Sequence, residues 1–167
     1  MRIIENGLVF GDYDDANCFH IEKTDIYNRL SGKGVNSVEF ILYRPEDRQL
    51  LFIEGKNTLA SRTNRVSLNE NISKIASKFM DSLQLTCGIW FGEYNRQVEV
   101  PKNGINFLQY GVRIIFVLVI KNRKGDLQYI ADMIRTQLKK EYRLWKFKIL
   151  VMNEHNAKKM KLIVSEE

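Results

Sequence analysis

The sequence predicts an α/β domain with a mixed central sheet flanked by helices, and three observations carry that expectation. Residues 112–120 (VRIIFVLVI) form an unbroken apolar run rich in β-branched side chains, the pattern of a central strand covered on both faces. Residues 69–84 and 126–142 repeat apolar side chains at helical spacing. Residues 37–43 (SVEFILY) and 50–56 (LLFIEGK) flank Pro45-Glu46-Asp47-Arg48, which reads as a tight turn between antiparallel strands. Strands and helices in this order pack as layers.

The elements follow in chain order. Residues 2–10 (RIIENGLVF) read as two short strands around Asn6-Gly7, a favoured hairpin turn. Asp12–Asp15 is an acidic loop. Residues 24–31 predict a short helix, with Thr24 as its cap and Ile26, Tyr27 and Leu30 facing inward. Ser31-Gly32-Lys33-Gly34 ends it with turn chemistry. The hairpin 37–56 comes next. The helix over 69–84 shows Ile72, Ile75, Ala76, Phe79, Met80 and Leu83 on one face, with Asn69 as its cap. Ile89-Trp90-Phe91 reads as a strand piece, and 93–109 as a loop or insertion. After the strand at 112–120, Asn122–Gly125 turns into a helix over 126–142, and residues 146–151 (KFKILV) form another strand. A strand, helix and strand of these lengths predict a parallel crossover. Residues 156–163 add a short helix.

Bulk properties narrow the function classes. A chain of 167 residues with 44% apolar side chains is one globular domain with a real core. No apolar run approaches the ~20 residues that span a bilayer. Met1-Arg2-Ile3-Ile4-Glu5 lacks the apolar core of a secretory signal, so no membrane role and a cytoplasmic protein are expected. Cys18 and Cys87 have no CxxC spacing, and His20 and His155 stand apart, which gives no zinc or redox signature. The net charge of +6 is unevenly placed: residues 1–25 hold six acids against two bases, and residues 111–164 hold thirteen bases against four acids. A basic half attracts polyanions such as nucleic acid, though a solvated helix face has the same composition.

The hairpin carries the chemistry. Side chains alternate along a strand, so Glu39, Ile41 and Tyr43 share one face of the first strand, and Phe52, Glu54 and Lys56 share one face of the second. If Arg44 pairs with Gln49 across the turn, Glu39 lies opposite Glu54, with Cβ atoms roughly 5 Å apart. Two carboxylates that close, among Val38, Phe40, Ile41, Phe52 and Ile53, repel each other and are partly desolvated. A divalent cation resolves the conflict, and carboxylate oxygens suit Mg²⁺ or Mn²⁺. Lys56 projects from the same face, where its ammonium can orient an attacking water or stabilise charge on a phosphate. Gly55 permits close backbone approach, and Asn57 and Thr58 follow as candidate phosphate contacts. The plainer alternative is an amphipathic hairpin whose lysine pairs with one glutamate in water, a contact worth little.

Ser37-Val38-Glu39-Phe40-Ile41-Leu42 followed by Leu51-Phe52-Ile53-Glu54-Gly55-Lys56-Asn57-Thr58 resembles the PD-(D/E)XK nuclease superfamily, in particular archaeal Holliday-junction resolvases and restriction-endonuclease-like domains. The resemblance covers about residues 20–121. It implies a restriction-endonuclease-like fold and phosphodiester hydrolysis with Mg (or Mn) held by Glu39 and Glu54 while Lys56 assists the water. Some members add an acid from the first helix, a role that Glu22 or Asp25 would fill. The first acid here is Glu where the family more often has Asp, and no Pro precedes it. The resemblance also implies nucleic acid, DNA foremost, as partner, and a homodimer or a larger defence or repair assembly.

Supporting residues lie downstream. Arg62, Arg65, Lys74 and Lys78 are candidate phosphate contacts, and Lys74 and Lys78 share a helical face. Trp90, Phe91 and Trp145 are either base-stacking or core aromatics. Lys139, Lys140, Arg143, Lys146 and Lys148 cluster near one helix end, where they favour the helix dipole, bind nucleic acid or meet an acidic partner. The competing function is a catalytically inactive nucleic-acid-binding or protein-interaction subunit on the same fold.

Overall fold

The computed structural model describes residues 1–94 and 111–164. Strands β1 (Ile3–Glu5) and β2 (Leu8–Phe10) form a hairpin in which Ile3 pairs with Phe10. Asn6 and Gly7 both take positive φ, 52° and 72°, the geometry that a two-residue hairpin turn demands. After the two-residue strand β3 (Cys18–Phe19) a 3₁₀ turn at Ile21–Lys23 leads into α1 (Asp25–Ser31). Thr24 caps α1 as expected, its hydroxyl accepting from the Tyr27 N–H at 3.1 Å.

The hairpin β4 (Phe40–Arg44) and β5 (Gln49–Lys56) has the anticipated register, Arg44 opposite Gln49 through to Phe40 opposite Ile53. Then come α2 (Arg65–Phe91), β6 (Arg113–Ile120), α3 (Leu127–Gln137), α4 (Lys139–Trp145), β7 (Lys148–Asn153) and α5 (Glu154–Lys159). Five strands form one mixed sheet in the order β3-β4-β5-β6-β7. The first two pairings are antiparallel and the last two parallel. The chain is therefore a mixed α/β domain with helices on its sheet.

Alternation along the strands divides the core in two. Phe52, Phe116, Leu118 and Ile120 point toward α2 and α3, where Phe116 stacks on Phe79 at 4.7 Å. Phe40, Leu51, Ile53, Val117 and Val119 point to the other face, against the β1–β2 hairpin and α5. A Cβ at Gly55 would stand 3.3 Å from the Phe10 ring. The close approach that Gly55 permits is thus that of the N-terminal hairpin to the sheet.

Four expectations are corrected. The second helix begins at 65 rather than 69, and Asn64, not Asn69, caps it by accepting from the Ser67 N–H at 3.2 Å. Ile89-Trp90-Phe91 is no strand; it is the last turn of α2, because Leu85, Ile89 and Trp90 continue the buried stripe until Gly92 stops the helix at φ 90°. The helix over 126–142 is two helices, broken at Leu138. The strand placed at 146–151 runs Lys148–Asn153. Residues 95–109 of the expected loop lie outside the described residues. No helix among the described residues is long and apolar enough to cross a membrane.

Candidate active site

Glu39 stands immediately before β4, and its N–H donates to the Ile53 carbonyl at 3.1 Å, so the hairpin register carries it opposite Glu54. Both face α2 and both are buried, Glu39 at 5% exposure and Glu54 at 0%. Lys56, two residues on, brings its Nζ to 2.7 Å from Glu54 Oε1. The helix opposite supplies a further amine. Lys78 Nζ lies 2.9 Å from Glu54 Oε1, 3.1 Å from Glu54 Oε2 and 3.9 Å from Glu39 Oε1. The strand entry is fixed to the same helix: the Val38 N–H donates to Ser82 Oγ at 2.8 Å, and the Asn36 N–H to Asp81 Oδ2 at 2.9 Å.

The β1–β2 hairpin closes the cluster from the side. Asn6, at its tip, donates from Nδ2 to the Gly55 carbonyl at 3.0 Å and to Glu39 Oε1 at 3.4 Å. Glu22, on the 3₁₀ turn, accepts from Ser37 Oγ at 3.3 Å. Asp25 is exposed at the start of α1.

The electrostatics follow from burial. Desolvation, followed by the charge of Glu54, pushes Glu39 up to about 7, against the pull of Lys78. Burial also raises Glu22, with Lys78 and the Ser37 hydrogen bond opposing. Burial works to lower Lys78, but the charge and hydrogen bond of Glu54, helped by Glu39 and Glu22, outweigh it and raise the amine. Glu54 Oε1 has two ammonium groups in ion-pair contact yet no well-directed hydrogen bond. Three acids, two of them buried, thus face two amines, so with all three ionised the cluster is one positive charge short.

That shortfall is the test of fit for a divalent ion. Carboxylate oxygens are the donors Mg²⁺ and Mn²⁺ take, and one or two carboxylates with waters and a phosphate complete such shells. Glu39 and Glu54 supply the two. Among the described residues no group of three or more His, Cys, Asp or Glu side chains forms a ready-made ligand set. The donor set fits in kind, and Lys78 is the cation that an ion would compete with.

The structure sorts the remaining candidates. Lys78, expected as a phosphate contact, is paired with the carboxylates, because its place on α2 faces Glu54. Lys74 is exposed one turn earlier and lines the same cavity as Lys56 and Lys78. Arg62 lies over the Tyr129 ring at 4.3 Å, and Arg65 is exposed at the first turn of α2. Asn57 accepts from Asn122 Nδ2 at 2.8 Å, a tie between loops. Trp90 is buried, whereas Phe91 and Trp145 are exposed. Asn6 went unread because a turn residue gives no sign of what its side chain reaches. Lys78 bordered the apolar stripe three residues after Ile75, which is the one signal that it faces inward.

Compared with family models, curated proteins and solved structures, the chain matches none.

Proposed function

We propose that this chain is a metal-dependent nuclease on a restriction-endonuclease-like fold, acting on nucleic acid with DNA as the first polymer to test. The observation that carries the reading is the burial of Glu39 and Glu54 side by side with Lys56 at 2.7 Å from one of them. Burying two like charges is costly unless they are compensated. Titratable groups in such perturbed surroundings cluster at functional sites, and a divalent cation would compensate both carboxylates.

Glu39 and Glu54 would hold Mg²⁺ or Mn²⁺. When bound, the ion supplies charge neutralisation at the phosphate and a more acidic water. Lys56 hydrogen-bonds the attacking water and stabilises charge on the phosphate. Asn6 fixes the Glu39 carboxylate, and Glu22 adds negative field from the 3₁₀ turn. The water oxygen bonds to phosphorus as its proton passes to solvent, the bond to one sugar oxygen breaks, and that oxygen leaves with a proton taken from solvent. Exposed Arg62, Arg65 and Lys74 contribute phosphate contacts.

Cleavage of single-stranded, duplex and branched DNA by the purified chain in Mg²⁺ or Mn²⁺ tests this. Glu54→Gln and Lys56→Ala should each lower the rate by about two to three orders of magnitude, the range for loss of one charge-stabilising group, with circular dichroism unchanged. A wild-type chain that cuts none of these substrates overturns the reading.

One observation favours an inactive binding subunit. Lys78 already bridges the two carboxylates, so the cluster can close without an ion. Nucleic-acid binding that is indifferent to Glu39, Glu54 and divalent metal would select that alternative.

A further inference from the structure

Between α2 and the end of β5 lies a cavity of about 350 Å³, within the range of small-ligand sites. Its polar lining is of one sign: Lys56, Lys74 and Lys78, with Asn36, Thr58 and Asn71, and no acidic side chain among the described residues lining it. Leu59 and Ile75 add an apolar side. The Asn71 side-chain oxygen accepts from the Ala60 N–H at 3.1 Å, which leaves its amide N–H groups as donors. Lys56 and Lys78 stand between two spaces, the carboxylates on one side and the cavity on the other. Lys74 is exposed and has no ion-pair partner among the described residues.

We propose that this cavity binds a phosphate-bearing group of nucleotide size, with Lys74 as its dedicated anchor. The three lysines and the Asn71 amide that line this one cavity are donors of the kind phosphate oxygens accept, and the apolar side suits a sugar or base. The biological sense rests on the nuclease reading, since the cavity would seat the strand beside the carboxylates. The physics does not rest on it. Glu39 and Glu54 compete with a bound anion for Lys56 and Lys78, so removing negative charge from the cluster should tighten anion binding. By linkage, the anion and a cation at the carboxylates should then favour each other.

Isothermal titration of the full chain, without divalent metal and at low salt, uses thymidine 5′-monophosphate, inorganic phosphate and thymidine as three arms. The two phosphates should bind, the nucleotide more tightly, and thymidine should not. Lys74→Ala should weaken the nucleotide about tenfold, the effect of losing one charged hydrogen bond, and it should fold normally because Lys74 is exposed. Glu39→Gln should tighten the nucleotide. Lys140→Ala, on α4, should change nothing. No phosphate binding, or equal losses in the Lys74 and Lys140 variants, overturns the proposal. Cleavage assays separate the two readings: a chain that binds nucleotide through Lys74 but cuts nothing keeps the cavity and loses the nuclease. One that cuts equally well with Lys74→Ala and shows no phosphate binding does the reverse.

Discussion

The two ends of the sheet carry charge in opposite ways. Where β5, β6 and β7 finish, with Lys56, Ile120 and Asn153 in register, Glu39, Glu54, Lys56 and Lys78 are drawn inward and joined at 2.7 to 3.9 Å. Where β7 begins, Lys139, Lys140, Arg143, Lys146 and Lys148 are exposed, and α4 buries none of its residues. By composition the second end is the more conspicuous, with five bases in ten residues. Physically it is the weaker candidate, because exposed charges are screened and interact little. Buried charges interact strongly, and their desolvation must be offset by close pairing. Charge density and burial thus point to opposite ends of one sheet, and at the buried end acids and amines are in ion-pair contact.

The largest stability effect should come from Lys78→Met. It removes the only amine among the described residues within 4 Å of both carboxylates. Breaking a buried pair costs about 3–5 kcal/mol. Lys78 keeps 23% of its side chain in water, so solvent screening brings the expected loss below that range, to about 2–3 kcal/mol. Urea unfolding measures it. Millimolar Mn²⁺ should raise Tm more in this variant than in the wild type, because the ion no longer competes with the ammonium. A variant as stable as the wild type would erase the contrast between the two ends.

What was legible follows the same division. The hairpin register could be read because a four-residue turn fixes which residues face each other, and alternation then places Glu39 beside Glu54 and Lys56. Thr24 and the Asn6-Gly7 turn announced themselves by local chemistry. The extent of α2 did not: β-branched and aromatic Ile89, Trp90 and Phe91 favour a strand locally, and only packing of Ile89 and Trp90 into the core keeps them helical. The break at Leu138 left no trace, since that residue is buried and continues the stripe of Ile130 and Ile134. The sequence places Lys78 on the correct element but gives no sign of its pairing with Glu39 and Glu54. Helical spacing defines a face, but what stands opposite is tertiary information.

A smaller effect should come from pH. Glu39 is raised from 4.5 to about 7, so between those values the folded chain binds more protons than the unfolded one. Stability from this group is therefore fully present below 4.5, falls as pH rises toward 7, and is flat above. Glu22 is shifted in the same direction and adds to the slope. His20 is lowered by burial and opposes it, gaining stability as pH rises toward 6.5. The isolating measurement is the difference in Tm between wild type and Glu39→Gln from pH 4.5 to 8. The variant should gain on the wild type as pH rises through that window. A difference independent of pH would mean that Glu39 ionises without penalty, and the buried end would then resemble the exposed one.

The smallest effects belong to α4. Lys140→Gln and Arg143→Gln remove exposed charges that make no ion pair among the described residues, so each should change stability by no more than about 0.5 kcal/mol. Neither should alter a cleavage rate at saturating DNA, because α4 meets β7 at Lys148 while Lys56 aligns with Asn153 at the far end. Five residues of strand rise put about 16 Å between those ends, beyond a Debye length at physiological salt. If these bases bind nucleic acid, the double variant should instead weaken DNA affinity and flatten its salt dependence by up to about two counterions. An unchanged salt slope would leave this end as a solvating surface, and the contrast with the carboxylate end would then be complete.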